Sequence, residues 1–154
     1  MILDRLPAHI TGFFDRSAPP RALDSQAFEA ACHLVAQMED GSVETLDFQL
    51  VARSYYVATV RTSSDHLSVL CNSVYPYLAF VPPGAFGFTD LEFVAPVSLA
   101  STFSGLTEFR SLDANWLMTD LQPAHLADLA SVELRQIKYW KPHRIGEVIF
   151  NRWD

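Results

Sequence analysis

The feature that most constrains this sequence is a segment of 42 residues, His66 to Thr107, whose only charged side chains are Asp90 and Glu92. It contains seven aromatic residues and several prolines. The prolines exclude a membrane-spanning helix, because each removes a backbone donor and favours the end or edge of a strand. We therefore predict two or three strands here, buried on at least one face. The cover is formed by the chain's own helices, by a second copy of the chain, or by a ligand in a cavity.

Hydrophobic periodicity predicts the elements around this segment. Asp24 is typical of an N-cap, and apolar spacings of three and four residues indicate a helix over about residues 24–39. Alternation of apolar and polar residues predicts strands near 45–52, 55–62 and 66–72. Helical spacing returns after Pro123, with a stripe that reaches Trp140 or breaks at Ser131, and a last helix is predicted over 143–152.

These elements indicate an α+β fold class. We expect a single globular domain over residues 1–154, in which an antiparallel sheet of about five or six strands is covered by N- and C-terminal helices. Hydrophobic residues make up 49% of the chain and charged residues 19%, which excludes a disordered chain, a collagen-like chain and a simple coiled coil.

The two cysteines, Cys32 and Cys71, have neither the spacing of a zinc site nor the number needed for a disulfide framework. No run of 18 apolar residues occurs, and the first residues lack the pattern of a secretory signal. We expect a cytoplasmic protein that needs no cofactor and no metal.

Catalytic motifs are weak in this sequence. Ser104-Gly105 lacks the first glycine of a nucleophile elbow, and the glycines at 84 and 87 do not form a phosphate-binding loop. Asp90 and Glu92 would share one face of a strand and are the best acid/base candidates, although charges at a strand edge also protect against aggregation. We expect binding rather than catalysis.

The aromatic residues of the charge-poor segment suggest one candidate binding site. A pocket there would have aromatic walls and one carboxylate as its polar group. Its candidate residues are Tyr75, Tyr77, Phe86, Phe88, and Asp90 or Glu92.

A second candidate site lies in residues 135–144, where aromatic and cationic residues alternate. Trp140, Lys141 and Arg144 could contact a phosphorylated ligand or a single-stranded nucleic acid by stacking and charge. Alternatively, Ile137 and Trp140 belong to the core and the cations face water.

The net charge of −7 argues against a general nucleic-acid binder, because phosphate backbones would be repelled. Residues 1–134 carry 16 acidic and 6 basic residues, whereas residues 135–154 carry 5 basic and 2 acidic residues. The acidic majority favours a basic protein partner, as for an immunity-type inhibitor or a chaperone. The alternatives are a small-molecule binding domain or modest enzyme with an aromatic-lined pocket around residues 75–93, and a homodimer formed through the aromatic segment.

Overall fold

The computed structural model describes residues 1–84 and 91–153, and its strands form one sheet. The strands are β1 (Ser42–Asp47), β2 (Tyr55–Arg61), β3 (His66–Asn72), β4 (Tyr77–Val81) and β5 (Arg110–Ser111). They lie side by side in chain order, and the pairs are antiparallel except for β4 and β5, which are parallel. The α+β class is confirmed. The expected purely antiparallel sheet is wrong at this edge, because a helix lies between β4 and β5 and such a connection crosses over.

Helices precede and follow these strands. They are α1 (Ser25–Met38), α2 (Val97–Leu106), α3 (Ala114–Leu117), α4 (Ser131–Trp140) and α5 (Ile145–Ile149), with a 3₁₀ helix at Pro123–Leu126. The predicted helix over 24–39 is confirmed as α1. The Asp24 side chain caps it by accepting a hydrogen bond from the Gln26 backbone N–H at 2.9 Å.

Three predicted elements need correction. The first strand is β1, which ends at Asp47 instead of near residue 52, because the Asp47 carboxylate accepts a hydrogen bond from the Gln49 backbone N–H and turns the chain. The charge-poor segment from His66 to Thr107, where only strands were predicted, also contains a helix, α2, which buries Leu99 and Phe103 four residues apart. The last helix is shorter than predicted and consists of residues 145–149.

The C-terminal helical stripe does break, as one of the two sequence interpretations allowed. A 3₁₀ turn ends at Leu126, and α4 begins at Ser131 with Ala130 in an extended conformation. The Glu133 side chain accepts a hydrogen bond from the Ala130 backbone N–H at 2.9 Å and so fixes this start. The two helical segments are therefore separate elements and not one continuous helix.

The charge-poor segment supplies the middle of the sheet, which is buried on both faces. In β3, Leu70 faces one core cluster, whereas Val69 and Cys71 face the other. In β4, Ala79 and Phe80 divide between the two clusters in the same way. A strand covered on both sides has no exposed face for a charged side chain, which explains the composition of this segment.

Each face of the sheet has its own helical cover. The first cluster packs α3, α5 and the N-terminal arm (residues 1–23) against the sheet, and the second packs α1 and α2. Gly146 permits the close approach of α5, because a Cβ atom there would lie 2.4 Å from Phe93 Cε2 and 3.0 Å from the Leu117 carbonyl oxygen. Gly105 in α2 has no atom within 4 Å of the corresponding position.

We predict opposite effects for the same substitution at these two glycines. Gly146→Ala should lower the free energy of unfolding by about 1–3 kcal/mol, because the new methyl group overlaps the packed ring and backbone. Gly105→Ala should raise it by roughly 0.5 kcal/mol, because alanine is a better helix former and its methyl group enters open space. Urea unfolding of both variants tests this pair, and equal effects would contradict the packing described for α5.

Candidate functional site

The candidate site is a row of four aromatic rings on the protein surface, which we call the aromatic surface: Phe13, Tyr139, Trp140 and Trp153. The centroids of Phe13 and Trp153 are 6.2 Å apart, and Trp153 stacks on Trp140 at 6.5 Å with an interplanar angle of 5°. Tyr139 meets Trp140 edge to face at 5.2 Å. The row joins the N-terminal arm, the end of α4 and the C-terminal tail.

Exposed aromatic side chains concentrate at this place. Within the described residues, the exposed aromatic side chains are Phe14, Tyr139 and Trp140, with relative accessibilities of 42%, 75% and 36%. Phe14 follows Phe13 in the chain, so all three lie in or next to the aromatic surface. Exposed and clustered aromatic rings are typical of a binding surface, because covering them with a partner removes apolar surface from water, which is favourable.

Two buried asparagines hold the arm and the tail together beneath this surface. The Asn72 side-chain amide donates to the Ile10 and Ile149 carbonyl oxygens at 2.8 and 3.0 Å. The Asn151 side-chain amide donates to the Thr11 and Val148 carbonyl oxygens at the same distances. These bonds satisfy backbone groups that burial would otherwise leave unpaired.

A buried carboxylate ties the arm to α4. Glu133 is fully buried, and its oxygens accept hydrogen bonds from the His9 backbone N–H at 2.8 Å and the Thr11 backbone N–H at 3.2 Å. The Thr11 hydroxyl donates to the same carboxylate at 2.7 Å, and Ala130 supplies a fourth donor. Phe13 is thereby fixed beside the helix that carries Trp140.

Positive charges border the aromatic surface in an otherwise acidic chain. Lys138 and Lys141 flank Tyr139 and Trp140 in the sequence, Arg152 precedes Trp153, and all three cations are exposed. Lys141 ends α4 with a φ of 53° and a ψ of 56°, the left-handed conformation in which glycine is more usual. We call these three cations the cationic rim, and their charge is complementary to carboxylates.

A cavity of about 190 Å³ opens beside Phe13 and Trp153. The Arg53 side chain lines it and is 7% exposed, and its guanidinium forms an ion pair with Asp47 at 2.8 Å. Burial raises the pKa of Asp47, but the hydrogen bond from Gln49 and the nearby guanidinium groups of Arg53 and Arg152 outweigh it and leave the net pKa below its ordinary value. Asp47 is therefore ionised at neutral pH.

The structure brings together only some of the residues that the sequence indicated. Trp140 and Lys141 lie on the aromatic surface, and Ile137 packs against the core as expected. The alternative interpretation that Trp140 belongs to the core is wrong. Trp153 stacks on Trp140, but Trp140 remains 36% exposed to water. Arg144 points elsewhere, toward the Met118 sulfur at 3.9 Å.

Only three of the six candidate residues of the predicted pocket around residues 75–93 lie in the described part of the chain. Tyr75 and Tyr77 stack on each other at 5.5 Å and pack against the core, and the Tyr75 hydroxyl donates to the Ala8 carbonyl oxygen at 2.7 Å. Burial raises the pKa of both tyrosines, so their hydroxyls stay protonated. Glu92 is exposed. The other three candidates, Phe86, Phe88 and Asp90, lie outside the described residues, and this pocket stays a prediction.

Phe13, Arg53 and Trp153 are the site residues that sequence reasoning missed. The paired phenylalanines at 13 and 14 and the late tryptophan at 153 were visible as apolar residues, but nothing local joins positions 140 residues apart. Arg53 follows a strand-like run and carries no motif. Only the folding of the two chain ends onto one another unites them.

A comparison with protein-family models, curated proteins and solved structures finds no match for this chain. None of the helices in the described residues has the length and apolar character that a membrane span requires. Within residues 1–84 and 91–153, no group of three or more His, Cys, Asp or Glu side chains could hold a metal ion. Any function must therefore be inferred from the chemistry of the aromatic surface and its cavity.

We predict that Glu133→Gln destabilises the protein by about 2–3 kcal/mol. Each Glu133 oxygen accepts hydrogen bonds from two donors, and the glutamine NH₂ group that replaces one oxygen would place its own donors against two of them. Urea unfolding measures this change. The exposed residue Glu108 provides the matched control, and Glu108→Gln should change the free energy of unfolding by less than about 0.5 kcal/mol. A small effect at Glu133 would mean that the arm is not held by this carboxylate.

We also predict that Lys141→Gly is more stable than Lys141→Ala by about 1 kcal/mol. Both variants remove the same positive charge, but only glycine enters the left-handed conformation without a steric cost. Thermal unfolding of the two variants side by side checks this. Equal stability would contradict the helix end described for α4.

Proposed function

We propose that this chain is a protein-binding domain of the immunity-inhibitor or chaperone type, acting on a partner of basic overall charge. The observation that carries the proposal is the aromatic surface. Tyrosine, tryptophan and arginine are enriched among the residues that provide most of the binding energy in protein interfaces. Here Tyr139 and Trp140 are exposed, the half-buried Trp153 stacks on Trp140, and exposed cations lie beside them in the chain.

The aromatic rings are suited to a rigid contact. Trp140 and Trp153 hold each other by stacking, and the Trp140 indole N–H donates to the Gln136 side-chain oxygen at 3.1 Å. Side chains that are ordered before binding lose little conformational entropy when a partner covers them. The surface therefore supports specific association more than a loose, nonspecific contact.

We expect electrostatic interactions with the partner both at long range and at contact. At long range, the net charge of −7 attracts a basic protein and accelerates association. At contact, the cations around the aromatic surface favour carboxylates on the partner. The partner is therefore expected to be basic overall and to place acidic side chains opposite Lys138, Lys141 and Arg152.

The proposal places this chain in the cytoplasm. Both cysteines are buried and free, and burial raises the pKa of each thiol, which disfavours the reactive thiolate. Free thiols of this kind suit a reducing compartment. They act as apolar core residues, Cys32 on α1 and Cys71 on β3.

We predict that a photo-crosslinker at position 139 captures the partner and that one at position 38 does not. Met38 is 61% exposed and lies on α1, which covers the other face of the sheet, so it is a matched control. Trp140→Ala should weaken the captured interaction about 30-fold or more, because it removes a central aromatic side chain. Crosslinking in extracts of the source cell, followed by titration of the captured protein, provides the measurement.

Two further measurements test the proposal: the salt dependence of association and the oligomeric state of the chain alone. Raising sodium chloride from about 50 to about 500 mM should slow association with a basic partner, because salt screens long-range attraction. Sedimentation of the chain alone tests the alternative of a homodimer formed through the charge-poor aromatic segment, and so separates self-association from binding to a different protein. Equal capture at positions 139 and 38 would count against the aromatic surface as the contact.

A further inference from the structure

We infer that the cavity beside the aromatic surface binds a small organic carboxylate, with its anionic group at Arg53 and its apolar part against Trp153 and Leu50. This site adjoins the proposed protein contact and shares Phe13 and Trp153 with it. It lies where the chain between β1 and β2, the N-terminal arm and the C-terminal tail meet.

The size of the cavity limits the ligand. Its volume is about 190 Å³. Drug-sized ligands occupy sites of roughly 300–1,000 Å³, whereas a cavity of about 150 Å³ accepts benzene. A ligand with one ring or a short branched chain is therefore the right size.

The apolar part of the lining is open to a ligand. Phe13, Leu50, Ala52 and Trp153 contribute carbon surface, and Leu50 is 41% exposed. Trp153 presents an indole ring that is already ordered by Phe13 and Trp140. A flat apolar group could stack against this ring without ordering it further.

The polar part of the lining leaves Arg53 as the recognising group. Thr11 and Asn151 also line the cavity, but the Thr11 hydroxyl is bonded to Glu133 and the Asn151 amide to two backbone carbonyl oxygens. The Arg53 guanidinium donates to Asp47, yet its buried Nε has no hydrogen-bond partner among the described residues. A buried cationic donor without an acceptor is unfavourable, and an entering carboxylate would relieve it.

The local charge favours an anion. The guanidinium groups of Arg53 and Arg152 both lower the pKa of the Asp47 carboxyl, so positive charge lies close to this side of the cavity. The Asp47 side chain is 44% exposed. It can therefore share the Arg53 guanidinium with a ligand and remain hydrated, whereas a cationic ligand would be repelled by that guanidinium.

The backbone around the cavity is unusual at Ala52. Its φ of 60° places an alanine in the left-handed region, and this residue lines the cavity next to Arg53. Such a conformation is unfavourable for a residue with a Cβ atom and is typical of backbone near binding sites. It supports a shape that is maintained for a ligand.

Benzoate provides the direct test. Titrated into the full ¹⁵N-labelled chain, it should shift the Arg53 Nε–H and Trp153 indole N–H resonances, with a dissociation constant in the range of about 1 mM that is usual for so small a ligand. Benzamide has the same shape without charge, and it should bind at least tenfold more weakly. Equal binding of the two, or shifts confined to other residues, would overturn the inference.

Substitutions localise the effect. Arg53→Lys keeps the charge but loses the planar fork, and it should weaken benzoate binding at least tenfold, whereas Arg110→Lys on β5 should leave it unchanged. If circular dichroism shows that Arg53→Lys does not fold, Leu50→Trp decides instead. This variant fills the cavity with Arg53 intact and should abolish binding, and unchanged binding would overturn the inference.

The source of the carboxylate is settled by a pair of dipeptides. Glycyl-phenylalanine ends in a free carboxylate, and its amide does not. If glycyl-phenylalanine binds and its amide does not, the natural ligand is the C-terminus of a polypeptide. If benzoate binds and glycyl-phenylalanine does not, the natural ligand is a free small acid. Because all titrations use the chain without a partner, their failure leaves the proposed protein binding untouched, and a failed crosslink leaves the cavity untouched.

Discussion

The structure depends on the buried polar contacts where the two ends of the chain cross the sheet. Asn72 at the end of β3 and Asn151 in the tail donate to carbonyl oxygens of the arm and of α5, while Ser54 donates to the Ile149 carbonyl oxygen at 2.9 Å. Each bond satisfies a backbone group that water cannot reach, so removing one partner leaves an unpaired buried dipole. The arm, the sheet and the tail are therefore fixed relative to one another, and Phe13 and Trp153 lie on the arm and the tail. Tyr139 and Trp140 lie on α4, which Glu133 ties to the arm.

The second constraint is the double cover of the sheet. Strands β2, β3 and β4 are buried almost throughout, so alternate side chains enter two separate hydrophobic clusters. Two clusters of this kind need two helical layers, and the short chain meets the need by sending α1 and α2 to one face and α3, α5 and the arm to the other. The cationic rim and the exposed aromatic rings then remain at the periphery, where they contribute little to the core.

The aromatic surface and the cavity follow from this arrangement. Trp153 lies between Phe13 and Trp140 because the asparagine contacts bring the tail across the arm, and the same crossing leaves a gap over Arg53. Acidic charge is spread over the body of the chain, and basic charge is gathered at the C-terminal end. The basic partner that we propose would therefore experience attraction from the whole molecule and a different, local pattern of charge at the contact.

The sequence by itself determined the α+β class and several of the elements. Asp24, the apolar spacing of α1 and the alternation in β2 and β3 are local signals, and the lack of charge between His66 and Thr107 indicated a buried sheet. It also identified Trp140 and Lys141 as binding candidates. Only the tertiary structure decided that β4 and β5 are parallel, that both faces of the sheet are covered, and that Phe13, Arg53 and Trp153 meet. Local patterns report the period of one element, whereas these contacts join residues far apart in the chain through hydrogen bonds that no single segment contains.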